Sequence, residues 1–218
     1  MLKKIIVFFV LCLAGNLFSS GFSFSQGFNA VTTPDGVNLV AVGNAGQLYR
    51  SGSGGASWVS VPNGALDMND VTSLGDDVWI AADNGTVYKT LKTGSTVNTY
   101  NVGSSVDLLS IDFIDANTGY VSGKSGAIFK SINGGVNWVS VNSGIDAVDL
   151  NAIDFVNGNN GRVVGNFGII YVTADGGSSW TAEISGTARN LTGIKYFGST
   201  IFVTGEYGTL LSKSGGSW

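Results

Sequence analysis

The sequence repeats itself about every forty residues. A unit that short cannot bury a core alone, so neighbouring units must pack side by side. Five segments align, starting near Phe28, Met68, Leu108, Leu150 and Asn190. An aliphatic residue recurs at Val31, Val71, Ile111, Ile153 and Ile194, with spacings of 40, 40, 42 and 41. A pair of small residues three apart follows, at Gly43/Gly46, Ala82/Gly85, Gly123/Gly126, Gly165/Gly168 and Gly205/Gly208. Each unit then carries one phrase: "SGSGGASW" (51–58), "TLKTGSTV" (90–97), "SINGGVNW" (131–138), "TADGGSSW" (173–180) and "SKSGGSW" (212–218). The second copy has lost its tryptophan, and the last is one residue short.

Within a unit the pattern is one of strands. "LNAIDFV" (150–156) alternates apolar and polar residues as a half-buried strand does. "GRVVG" (161–165), "GIIYVTA" (168–174) and "WTAEI" (180–184) read as three more. Glycine numbers 33 and proline 2, which suits short strands joined by tight turns. Charged residues make up 12% and hydrophobic residues 44%, which argues against disorder. Four short strands per repeat predict an all-β fold, a β-propeller of about five four-stranded blades. The blades fall near 28–67, 68–107, 108–149, 150–189 and 190–218, within a propeller over residues 26–218.

The recurring phrase reads as a hairpin clip between a blade's third and fourth strands. Asp175, or its stand-ins Ser53, Asn133 and Ser214, is placed to accept backbone N–H groups of the turn. Gly176 and Gly177 supply backbone angles that strain other residues. Trp58, Trp138, Trp180 and Trp218 then cover the apolar edge of the blade. The phrase resembles the Asp-box, or BNR repeat, of sialidase-type propellers. The longer unit "IDFIDANTGYVSGKSGAIFKSINGGVNW" (111–138) is similar to the repeat of the photosystem II stability/assembly factor family. That resemblance spans about residues 28–218 and implies a non-enzymatic binding or assembly scaffold.

Residues 1–25 have the layout of a secretory signal peptide: Lys3 and Lys4, an apolar run from Ile5 to Ala14, then small residues, with cleavage expected near Ser25–Gln26. The expected location is therefore secreted, periplasmic or at the cell envelope, with no membrane insertion after cleavage. Cleavage removes Cys12, the sole cysteine, and the chain has no histidine. Thiol chemistry and histidine catalysis are thereby excluded from the mature chain. Without Lys3 and Lys4, nine basic residues face fifteen acidic ones, a net charge of −6 that disfavours nucleic acid. Two arrangements stay open at the ends. Residues 21–27 could supply the fifth blade's outer strand, or the chain could be part of a larger propeller.

Candidate sites follow from the repeat phase. A sialidase-like site needs three converging arginines, but Arg50, Arg162 and Arg189 fall at different phases and are expected on different faces. Asp112 and Asp154 occupy equivalent places on the presumed innermost strands, matching Thr32, Thr72 and Lys195. They are the catalytic candidates for the alternative function, a propeller-type glycoside hydrolase (sialidase-like or other) or lyase. The competing reading makes them solvated channel-lining or turn-capping residues. No metal or cofactor motif is present; "GNAG" and "GKSG" lead into strands, not helices. The main expectation is binding of a protein or glycan by the turns joining strands two and three and by the connections between blades. These carry Asn44, Asp83, Asn84, Lys124, Asn166, Phe167, Arg189, Glu206 and Tyr207.

Overall fold

The computed structural model describes residues 27–142, 145–215 and 218. The segment expected to be a signal peptide, and residues 21–26 as an outer strand, lie outside the described residues. Among the described residues nineteen strands form five antiparallel sheets, each a meander in sequence order. The first holds β1 (Phe28–Thr32), β2 (Leu39–Gly43), β3 (Leu48–Ser51) and β4 (Val59–Ser60). The second holds β5 (Met68–Leu74), β6 (Asp77–Ala82), β7 (Thr86–Leu91) and β8 (Val97–Asn101). The third holds β9 (Leu108–Phe113), β10 (Gly119–Gly123), β11 (Ile128–Ser131) and β12 (Val139–Ser140). The fourth holds β13 (Leu150–Phe155), β14 (Gly161–Gly165), β15 (Ile170–Thr173) and β16 (Thr181–Glu183). The fifth holds β17 (Leu191–Phe197), β18 (Thr200–Gly205) and β19 (Leu210–Lys213). This is a propeller. Its fifth sheet shows three strands among the described residues where four are expected from the repeat.

The inner strands pack in succession, β1 on β5, β5 on β9, β9 on β13 and β13 on β17. No comparable packing of β17 on β1 is present among the described residues. The core lies in the seams between sheets rather than within any one, because a four-stranded sheet has two faces and no interior of its own. Each of the four buried clusters mixes residues of two neighbouring sheets. Aromatic sandwiches fill the two middle seams. Trp79 stacks on Phe113 at 3.9 Å, and Phe113 meets Trp138 edge-on at 6.0 Å. Tyr120 stacks on Phe155 at 3.6 Å, and Phe155 meets Trp180 edge-on at 6.1 Å.

The hairpin phrase also stitches seams. Asp175 Oδ1 accepts the Ser179 N–H at 2.9 Å, and Thr173 Oγ1 accepts the Gly177 N–H at 2.9 Å. Asn133 with Ser131, and Ser53 with Ser51, repeat both bonds. The Trp79 indole then donates to the Gly134 carbonyl at 2.9 Å, and the Tyr120 hydroxyl to Gly176 at 3.2 Å, each reaching into the phrase of the next sheet. Trp180 donates back to Val141 of the preceding unit at 2.8 Å.

The fourth seam is polar. Arg162 donates to both carboxylate oxygens of Glu183, at 3.0 and 2.9 Å, and lies 5.8 Å from the Tyr196 ring centre. Lys213 and the Trp218 indole also donate to Glu183, at 3.0 and 3.1 Å. Burial pushes the Glu183 carboxyl up, but the bonds from Arg162 and Lys213 outweigh it and hold the pKa at about 2, against 4.5 for a free glutamate. The stabilisation from this depressed pKa is complete above pH 4.5 and disappears as pH falls towards 2. Urea unfolding across that window is expected to lose about 1–2 kcal/mol attributable to this carboxylate, after allowance for solvent screening. Glu183→Gln should remove that part of the acid dependence; an unchanged slope in the variant would show that other carboxylates carry it.

Candidate binding face

Two framework devices repeat on the face that carries the turns between second and third strands. The inner strands bulge at the residue after Phe28, Met68, Leu108, Leu150 and Leu191. A bulge re-aims its extra side chain. In three sheets that residue is an asparagine whose amide bridges two blades. Asn29 donates to Asn44 and to the Met68 carbonyl; Asn69 to Asp83 and Leu108; Asn151 to Asn166 and Leu191. The second device is an acceptor in the connection to the next blade. Asp67, Asp107, Asp149 and Asn190 accept the turn N–H groups of Ala45, Asn84, Ser125 and Phe167 at 2.8–3.1 Å. Lys124 pairs with Asp107 at 2.7 Å, and this contact with the Asn84 N–H holds the Asp107 carboxyl below the usual range.

These bonds divide the nine candidate binding residues. The side chains of Asn44, Asp83 and Asn166 are held in blade-to-blade bridges, and Lys124 is in an ion pair. Asn84 receives the Asn101 amide on its carbonyl at 2.9 Å. Glu206 contributes its backbone, with its N–H on Asn190 and its carbonyl accepting Thr209, while its side chain is exposed. The side chains of Asn84, Phe167, Arg189, Glu206 and Tyr207 face solvent, and Phe167, Arg189 and Tyr207 supply two rings and a cation between the fourth and fifth blades.

Phe167 is 71% exposed and Tyr207 85%. Each occupies the tip of its turn in the left-handed region, with φ of 59° and 54°. The matching residues are Ala45, Asn84 and Ser125, with φ of 52–56°. Asparagine is enriched in that conformation, whereas a bulky aromatic residue is an outlier there. The strained pair therefore projects two rings outward from a rigid frame. The Arg189 guanidinium lies 4.7 Å from the Tyr207 ring centre, and Asn190 caps the Phe167 N–H. One cation and two aromatic faces are thus gathered between the fourth and fifth blades, a surface suited to stacking and charge recognition.

The inner carboxylates are tied to neighbouring strands. Asp154 Oδ2 accepts the Tyr196 N–H at 2.7 Å and its other oxygen pairs with Lys195; Asp112 accepts the Phe155 N–H at 3.0 Å. Asp70 likewise accepts Ser110 and the Ile111 N–H, at 2.8 and 3.0 Å. Each carboxylate clamps the inner strand of the next blade. The three arginines do not converge: Arg50 and Arg162 fill separate seams, and Arg189 lies on the turn face. Among the described residues no group of three or more Asp, Glu, Cys or His could hold a metal, and no helix is long and apolar enough to cross a membrane.

Comparison with known proteins agrees with this architecture. A sequence model described as photosynthesis system II assembly factor YCF48 matches residues 93–189, a little under half of the chain. The chain is a BNR-type propeller resembling the photosystem II assembly factor family. YCF48 from Cyanidioschyzon merolae superposes with a TM-score of 0.67 at 16% identity, covering 87% of this chain and 70% of that one. YCF48 bound to D1 peptide gives 0.70 at 16%, covering 88% of this chain and 65% of that one. The GH74 xyloglucanase of Xanthomonas campestris gives 0.71 at 13%, covering 87% of this chain and 36% of the enzyme. No curated protein matches the chain in sequence. At such identities the structural likeness establishes the fold.

Proposed function

We propose that the protein is a non-enzymatic binding scaffold that takes a protein partner, or secondarily a glycan, on the face around Phe167, Arg189 and Tyr207. The observation carrying this reading is the pair of bulky aromatic residues held in left-handed turn positions and left exposed, where the other three blades place Ala, Asn and Ser. The turn geometry imposes the left-handed angle in all five blades, but only these two place a bulky ring on it, and bulky residues in such conformations cluster at functional sites. One solved relative of the same fold, YCF48, is seen bound to a peptide, which supports a protein partner. The hydrolase alternative has less support, because Asp112 and Asp154 already accept backbone N–H groups of the next blade. A secreted or periplasmic location is part of this proposal and rests on the leading residues 1–25.

Phe167→Gly and Tyr207→Gly test it. Glycine relieves the left-handed strain while loosening the unfolded chain, so stability should change by no more than about 0.5 kcal/mol. Binding to a partner captured by affinity pull-down, or to a glycan-array hit, should weaken at least about tenfold. Full binding by the double variant would refute the assignment.

A further inference from the structure

Arginines fill two of the four seams, and only one of them meets an acid. In the fourth seam Arg162 is held by both oxygens of Glu183. In the first seam the three aromatic positions of the middle seams are taken by Val40, Ser73 and Val97, the last standing where the second hairpin phrase has lost its tryptophan. Arg50, opposite Val40 in the ladder between β2 and β3, fills the space and is 7% exposed. Its Nη2 donates to Thr90 Oγ1, whose own proton goes to the Thr96 carbonyl. Its Nε and Nη1 are buried and have no hydrogen-bond partner among the described residues. Burial lowers the Arg50 pKa, with no acid opposing the effect.

Beside the guanidinium lies a groove of about 400 Å³ between the outer parts of the first two sheets. Its walls include Asn38, Ser51, Ser60, Lys92 and Ser95, and no aspartate or glutamate. The nearby acids Asp35 and Asp76 already pair with Lys92, at 3.1 and 2.7 Å. A buried cation without a counter-charge is far less stable than a paired one. A planar guanidinium with free donors matches a carboxylate in a way that a lysine does not.

We propose that this groove binds a small carboxylate, which takes at Arg50 the place that Glu183 holds at Arg162. Arg50 lines the groove while its Nε and Nη1 are buried. Full engagement therefore needs a rotation of Arg50 or a slight parting of β4, a two-residue strand with both side chains exposed. Ser60, Ser95 and Lys92 also line the groove. The site is separate from the Phe167–Tyr207 face and stands whether or not that face binds a partner.

The probes are sodium acetate, sodium chloride and sodium sulfate at equal ionic strength, with the purified chain. Acetate should raise the unfolding midpoint saturably, by about 5–10 °C at a hundredfold excess over its Kd, while chloride does not. The chain has three arginines, so their Nε–H resonances can be assigned by substitution. Acetate should shift that of Arg50 and leave that of Arg162 in place. Arg50→Met should raise the midpoint without acetate and abolish the acetate response. An equal response to chloride or sulfate overturns the proposal, as does an unmoved Arg50 Nε–H or an acetate response that survives in Arg50→Met. If Arg50→Met does not fold, the Nε–H titration of the native chain decides alone.

Discussion

Trp180→Ala should cost about 3–5 kcal/mol in urea unfolding, among the largest effects of any truncation in the chain. The ring is 6% exposed and belongs to the cluster uniting the third and fourth sheets. Its edge rests on Phe155, which in turn stacks on Tyr120, so removal unsupports a three-ring sandwich rather than one contact. The same substitution strands the Val141 carbonyl, which accepts the indole N–H at 2.8 Å. Trp180→Phe should recover most of the apolar contact but not that bond, and so lose an intermediate amount. Trp58 is only half-buried, and Trp58→Ala should cost less. In a repeat fold the damage should concentrate at one seam, so hydrogen exchange should rise in β10–β16 before it rises in β5–β8. Equal stability of Trp180→Ala and the parent would remove the seam account of this fold.

Much of this fold is legible because the repeat repeats its chemistry. The spacing of Val31, Val71, Ile111, Ile153 and Ile194 marks the inner strands, and all five lie on them. "GRVVG" coincides with β14; the expected strands around "GIIYVTA" and "WTAEI" run slightly longer than β15 and β16, because turn residues at their ends share the apolar pattern. The blade-bridging asparagines were equally visible as a recurrence: Asn29, Asn69 and Asn151 share one phase, as do Asp67, Asp107, Asp149 and Asn190. Their role was not legible, since a bulge that turns a side chain towards the next blade is a property of strand register, not of composition. For the same reason the bonds that tie the side chains of Asn44, Asp83 and Asn166 to the bridging asparagines are not legible in the sequence. The burial of Arg50 is not legible in the sequence, because its partner Thr90 comes from another repeat. The loss of tryptophan at Val97 is visible in the sequence; the room it leaves beneath β4 is a matter of packing.

Gly168→Ala should destabilise the protein by about 3 kcal/mol or more, although it adds only one methyl group. The glycine has φ of 75°, and a Cβ built there would lie 1.8 Å from the Thr187 carbonyl oxygen and 3.0 Å from Ser185 Oγ. Backbone of the connection, not a flexible side-chain end, occupies the space, so relief requires moving the segment that leads into the fifth blade. Its neighbour Phe167 has nearly the same backbone angle yet carries a benzyl group, because that side chain points into solvent. Two adjacent left-handed residues thus divide the work: Gly168 lets the connection close onto the turn, and that closure holds Phe167 outward beside Asn190. The same approach recurs at Gly46 and Gly85, where a Cβ would lie 1.9 Å from the Gly64 and Ser104 carbonyl oxygens. A binding role for Phe167 then makes Gly168→Ala lose partner affinity as well as stability, whereas Phe167→Gly loses affinity alone. Measuring both quantities in both variants separates the frame from the surface it presents. A Gly168→Ala protein with native stability would mean that the connection is free to move, and the rigid presentation inferred for Phe167 would have to be abandoned.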